Sequence, residues 1–118
     1  MEETRAIRLL LAGQDGLLAT LSRQTLADLQ NRVTVRIHLG PLTKDQSICH
    51  LDHRLRTHGG TDKVFSDEAK VRMHELTGGL PRHLNNLGTL CLIQGAGKKQ
   101  KQIGPGLVDE AARELSIL

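Results

Sequence analysis

The apolar positions of this chain follow one spacing before about residue 42 and another after it. Residues 7–12 form a short apolar run, which is typical of a strand buried on both faces of a parallel sheet. Residues 15–29 carry leucines at near-helical spacing and predict an amphipathic helix with an irregularity near Ser22. Residues 33–39 alternate apolar and polar side chains and predict a half-exposed strand.

The rest of the chain has helical spacing and predicts four helices. Thr43 and Ser66 are suitable N-caps for the first two, and Pro81 and Pro105 suit the first positions of the other two. The predicted ends lie near residues 58, 76, 94 and 115. The side chains predicted to face inward are Ile48, Cys49, Leu51, Leu55, Phe65, Ala69, Met73, Leu76, Leu84, Leu87, Cys91, Leu107, Val108, Ala111, Ala112 and Leu115.

The predicted fold class is therefore α+β and mostly helical, with a boundary after residue 42. Residues 1–42 would be a strand-helix-strand unit, which is too small to cover both faces and both edges of a parallel sheet. We interpret this unit as the remnant of a larger α/β core. Residues 43–118 would form a four-helix domain, which we expect to be the more stable of the two.

Composition narrows the function classes only slightly. The 118 residues include no Trp, no Tyr and one Phe, so the core must consist mainly of aliphatic side chains. The net charge of +3 permits weak attraction to nucleic acid, nucleotide or anionic lipid. No apolar run approaches the roughly 20 residues that span a bilayer, and the acidic residues 1–3 do not begin a signal peptide. We expect a soluble, cytoplasmic chain without membrane insertion.

Two familiar kinds of site are not supported by the residue spacing. Residues 95–99 contain a Gly-Lys pair, but a P-loop would need Gly where Leu92 stands and Ser or Thr where Lys99 stands. His50 and His53 are three residues apart, yet no further ligand stands at a familiar spacing to complete a metal site. No metal is expected, and nothing in the sequence indicates independent catalysis.

The segment from Gly78 to Arg82 is the most informative candidate site. Gly78 and Gly79 can end one helix, and Pro81 can begin the next, which places Arg82 in its first turn. A cation is mildly disfavoured beside the positive end of a helix dipole, unless an anion binds there. Free N–H groups and a guanidinium together suit a phosphate or carboxylate, although an arginine extended into solvent is the simpler alternative.

Two further polar residues belong to the first unit. Gln14 follows the first predicted strand, at the edge where α/β sheets bind ligands. Arg32 lies between the predicted helix and the second predicted strand, where its side chain is free to reach a partner.

Taken together, several segments resemble the C-terminal half of AAA+ ATPases. They are LLLAGQ (9–14), LQNRV (29–33), HLGPL (38–42), HRL (53–55), FS (65–66), GGLPR (78–82), NNL (85–87) and residues 108–115. The likeness is greatest to the bacterial group that includes the general secretion pathway protein A ATPases and the transposition ATPases of the TniB/TnsC type.

This resemblance implies a role for each candidate residue. Gln14 would be sensor 1, although Asn or Thr is commoner there, and Arg32 would be the arginine finger acting on a neighbouring subunit's nucleotide. Residues 43–118 would be the lid, with Arg82 as sensor 2 beside Pro81. The full-length protein would use ATP with Mg and form a homo-oligomer. This chain has neither Walker motif, so alone it should hold no nucleotide and hydrolyse none, and it would meet nucleotide through the missing core.

The resemblance leaves the biological role open between secretion assembly and DNA transposition. A different class of function is a small basic helical module that binds DNA or a protein through Lys98, Lys99, Lys101, Arg54 and Arg56. A third reading is a remnant reading frame without function.

Overall fold

A computed structural model describes residues 7–117, which form two units, one ending at His38 and the other beginning at Leu39. The described residues contain six α-helices and one short 3₁₀ helix. They are α1 (Gly16–Leu21), the 3₁₀ helix (Gln24–Leu26), α2 (Ala27–Arg32), α3 (Lys44–Thr57), α4 (Asp67–Thr77), α5 (Pro81–Gly97) and α6 (Pro105–Glu114). The acidic residues 1–3 lie outside the described residues.

The prediction of a strand in each of these two segments, residues 7–12 and 33–39, is wrong. Residues 7–12 and 33–39 have no regular secondary structure, and their apolar side chains are exposed apart from half-buried Val33, by 89% at Leu10 and 79% at Ile37. A strand needs a neighbour to take up its backbone N–H and C=O groups, and neither segment is paired with one within residues 7–117. The described chain is therefore mostly helical without a sheet, and the strand-helix-strand remnant is not supported.

The helix predicted over residues 15–29 is broken into shorter pieces. Its irregularity near Ser22 is confirmed, because α1 ends there and the Ser22 hydroxyl donates a hydrogen bond to the carbonyl of Leu18 over 2.7 Å. The 3₁₀ helix and α2 follow. These three short helices contain no buried residue, so the first unit has little core of its own.

The four later helices are confirmed, with the predicted caps. Thr43 and Gln46 form a reciprocal capping box at the start of α3, and the Ser66 hydroxyl accepts a hydrogen bond from the N–H of Ala69 at the start of α4. Helix α5 continues to Gly97, past its predicted end near residue 94. The extension places buried Gly95 against Ile103, whose Cδ1 would lie only 3.1 Å from a Cβ at that glycine.

The core of the second unit is aliphatic, as predicted. Its buried members are Leu51, Phe65, Ala69, Met73, Leu84, Leu87, Cys91, Ile103, Leu107, Val108, Ala111 and Ala112. Leu115 was expected inside but is 38% exposed, because it lies just beyond the end of α6. A short backbone bridge joins the starts of α4 and α6, with the N–H of Ser66 donating to the carbonyl of Ile103 over 2.9 Å.

The two cysteines should differ sharply in reactivity. Cys91 is buried as predicted, and burial raises the pKa of its thiol to about 11. Cys49 was also expected in the core, but it is exposed. Near pH 8, only about one in a thousand Cys91 thiols is then ionised, and the thiolate is the reactive form. We expect an aromatic disulfide reagent to label one thiol per native chain quickly and the second only in denaturant. Rapid labelling of a folded Cys49→Ser variant would contradict this.

None of the helices in the described part of the chain combines the length and the apolar character needed to cross a membrane.

Candidate functional site

The candidate site is the turn between α4 and α5 together with the first turn of α5. Helix α4 ends at Gly78 in the left-handed conformation, with φ of 64°, and Gly79 follows with φ of 80°. The Thr77 hydroxyl, which is buried, donates to the carbonyl of Met73 over 2.7 Å and accepts from the N–H of Gly79 over 3.4 Å. The turn is thereby fixed from the α4 side.

Leu42 fixes the same turn from the other side. Its N–H donates a hydrogen bond to the carbonyl of Gly79 over 2.8 Å. The two backbones approach so closely that a Cβ on Gly79 would lie 2.0 Å from the carbonyl oxygen of Leu42. Glycine is therefore required at residue 79 both by its positive φ and by this contact.

The first turn of α5 carries positive charge, and no anionic partner for it is found in the described part of the chain. Leu80 occupies the N-cap position without a side-chain cap, and Pro81 is the first helical residue. Within residues 7–117, the N–H groups of Arg82 and His83 have no hydrogen-bond partner, and the exposed Arg82 side chain forms no ion pair. No acidic residue lies in this first turn. Two free N–H groups, the helix dipole and a guanidinium together suit an oxyanion.

Helix α3 holds both flanks of this site through polar contacts. Ser47, which is buried, lies with its hydroxyl 2.8 Å from Nδ1 of His74 on α4. On the other flank, Nε2 of His50 donates a hydrogen bond to Oδ1 of Asn85 over 2.8 Å. Asn85 lies three residues after Arg82, so the two side chains share one face of α5. A shift of α5 would therefore be felt by α3.

The other two predicted site residues lie in the first unit. Gln14 is exposed just before α1, and its carbonyl accepts a hydrogen bond from the N–H of Leu17 over 2.8 Å. Arg32 is the exposed last residue of α2. The strands expected beside them are absent from the described residues, so neither lies at a sheet edge. Their assigned roles stay predictions.

Sequence reasoning missed a buried ion pair between α3 and the first half of α4. Nζ of Lys70, a residue only 4% exposed, lies 2.8 Å from Oδ1 of Asp52 on α3 and donates a hydrogen bond to the carbonyl of Asp62 over 2.8 Å. Within the described residues the Lys70 ammonium is the polar partner of this buried carboxylate oxygen. Lys70 stands three residues before Met73 and so lies on the apolar face of α4. This spacing could have indicated a buried lysine.

Of the lysines at residues 98, 99 and 101, the first is paired with a carboxylate of the second unit. Nζ of Lys98 lies 2.5 Å from Oε2 of Glu110, whose pKa is lowered by that hydrogen bond and by the charge of Lys98. Lys99 and Lys101 are exposed. In the described part of the chain, no three His, Cys, Asp or Glu side chains come together in an arrangement that could hold a metal ion.

Comparison with known proteins finds a relative among secretion proteins. The chain is 30% identical over 115 residues to "General secretion pathway protein A" of Aeromonas hydrophila. The match covers 98% of this chain and 21% of that protein, so the chain spans about a fifth of the relative's length. No protein-family model matches the chain, and no solved structure matches it. The likeness supports the secretion branch of the resemblance and leaves the AAA+ and transposition assignments as predictions.

Proposed function

We infer that this chain is the sensing and lid portion of an ATP-dependent switch protein in a secretion pathway. The observation that carries the proposal is the first turn of α5, where Arg82 and two free N–H groups offer an anion site that no group within residues 7–117 fills. The name of the relative supplies the secretion context. In this role, ATP and Mg are held by a nucleotide-binding core outside these residues, within a homo-oligomer.

The proposed mechanism starts from the phosphate end of the nucleotide. A terminal phosphate beside Pro81 would accept hydrogen bonds from the N–H groups of Arg82 and His83 and pair with the Arg82 guanidinium. Its loss on hydrolysis would remove the anion from the Arg82 guanidinium and from these two N–H groups. The start of α5 would then move, and the contact between His50 and Asn85 would carry that movement to α3.

The roles of Gln14 and Arg32 in this proposal rest on the resemblance. Arg32 would reach the nucleotide of a neighbouring subunit, and Gln14 would orient the attacking water. Both residues are exposed in the first unit, which leaves their side chains accessible to a partner. This chain alone would hydrolyse no ATP, because it has neither Walker motif.

Calorimetry with a non-hydrolysable ATP analogue tests the proposal. The chain is titrated alone and then mixed with a variant of General secretion pathway protein A that lacks the matched segment. We expect the chain to restore or tighten nucleotide binding only in the mixture, and Arg82→Ala to weaken that effect about tenfold, the loss of one charge-assisted contact. Arg56→Ala, an exposed arginine at the end of α3, is the matched control. An unchanged titration in the mixture would refute the proposal.

A basic binding module is the second candidate function, favoured by the exposure of Lys99, Lys101, Arg54 and Arg56. Binding to duplex DNA that falls steeply with salt and is unaffected by Arg82→Ala would select it over the lid.

A further inference from the structure

An open groove of about 250 Å³ lies between α3 and α5 in the second unit. Its apolar walls are formed by Leu51, Leu55, Phe65, Leu84 and Leu92. Three of these belong to the buried core, whereas Leu92 is 40% exposed and extends the apolar surface outward. The volume is below the roughly 300–1,000 Å³ of pockets that enclose small molecules, and it suits one or two large side chains.

A glycine lines this groove. Gly88 is buried in the middle of α5, where glycine costs about 1 kcal/mol relative to alanine. A Cβ there would lie 3.5 Å from Cε of Met73 and 3.9 Å from Cδ2 of Leu51, which are ordinary contact distances. An alanine would therefore fit at residue 88. A longer side chain there would press on Met73 and Leu51 or extend into the groove that Gly88 lines.

The edge of the groove is cationic. Arg54 is exposed on α3 and forms no ion pair within residues 7–117, and no carboxylate lines the groove. His58 also lies at this edge, and its Nδ1 donates a hydrogen bond to the carbonyl of Arg54 over 2.9 Å. An apolar floor with an unpaired arginine at its edge is complementary to a ligand that joins an apolar side chain to a carboxylate.

We propose that this groove binds an acidic amphipathic segment of a partner protein. One large apolar side chain of the segment enters the space beside Gly88, and a carboxylate about one helical turn away pairs with Arg54. This is the helix-in-groove mode of peptide recognition, in which apolar anchors recur at a spacing of three or four residues. Asn85 lines the groove and also flanks the anion site, but Arg82 does not line the groove, and the proposed binding requires no nucleotide.

Selection from a random peptide library displayed on phage tests the proposal, with the full chain as bait and without nucleotide. We expect enriched peptides to share a large apolar residue and a carboxylate three or four positions apart. A synthetic copy should bind the chain about tenfold more weakly after Gly88→Leu, which adds a branched side chain at the wall of the groove. Circular dichroism and thermal unfolding would establish that this variant is folded.

Arg54→Glu tests the charge contact without changing a core residue, because Arg54 is exposed. This surface variant should weaken the acidic peptide about tenfold and tighten a copy of the peptide in which lysine replaces the carboxylate residue. Arg56→Glu, two residues further along α3 and outside the groove, is the matched control. The proposal is overturned if no peptide is enriched, if the enriched peptides lack acidic residues, or if Arg54→Glu and Arg56→Glu act alike.

Discussion

Replacing Asp52 with Asn is expected to lower the free energy of unfolding of the second unit by about 3 kcal/mol, because it leaves the Lys70 ammonium buried without its counter-charge. Breaking a buried ion pair from one side costs about 3–5 kcal/mol. We expect the lower end of that range, since Lys70 keeps its hydrogen bond to the carbonyl of Asp62 and the Asp52 side chain is 16% exposed. A unit of this size has roughly 4–12 kcal/mol of stability in all, so the variant should approach unfolding. Urea denaturation followed by circular dichroism measures the effect.

The chain contains matched controls for this prediction. Asp67 also lies near Lys70 Nζ, at 4.0 Å, but its side chain is 98% exposed, so Asp67→Asn should change stability by less than about 0.5 kcal/mol. Lys70→Met removes the buried cation and should restore most of the stability lost in Asp52→Asn. Equal losses in Asp52→Asn and Asp67→Asn, or no recovery in the double variant, would show that the pair does not act as described.

Gly79→Ala is expected to destabilise the second unit by about 3 kcal/mol and to displace the start of α5. Its φ of 80° costs an alanine roughly 1–2 kcal/mol. The new Cβ would also lie 2.0 Å from the carbonyl oxygen of Leu42, and a backbone atom cannot move aside as a side chain can. Relief of this clash would break the hydrogen bond from Leu42 to Gly79. Thermal unfolding measures the loss, and amide exchange at Leu42 reports the broken bond.

Gly78→Ala separates the cost of the positive φ from the cost of the contact with Leu42. Gly78 has a similar φ of 64°, but no atom lies within 4 Å of a Cβ built there. This variant should lose about 1 kcal/mol and keep the Leu42 bond intact. If the two substitutions destabilise the chain equally, the contact with Leu42 contributes nothing, and the first turn of α5 is positioned by α4 alone.

The elements that could be predicted are those whose signals are local. The caps at Thr43 and Ser66 and the prolines at Pro81 and Pro105 act within one turn of their own helix, so the sequence indicates the four helix starts closely. Arg82 lies in the first turn of α5 as expected, for the same reason. What it binds depends on groups beyond its own turn and stays a prediction.

The predictions that failed depended on distant partners. Alternation of apolar and polar residues over 33–39 suits a strand, but a strand exists only where another segment pairs with it, and none does within residues 7–117. The ion pair of Lys70 and Asp52 was missed because the two residues lie on different helices. The spacing within α4 does not indicate which carboxylate pairs with a buried lysine. The approach of Leu42 to Gly79 joins residues far apart in sequence, and glycine alone did not reveal it.

The hydrogen bond between Leu42 and Gly79 attaches the chain to the second unit close to the point where that unit begins. From Leu39, only three residues precede the bonded one, a length of roughly 10 Å when fully extended. Tension applied along the backbone at this entry would be borne first by that single bond and by the turn from which α5 begins, before it reached the core. The start of α5 is thus the point where a mechanical pull on the chain and the charge of a bound anion would act on the same few atoms.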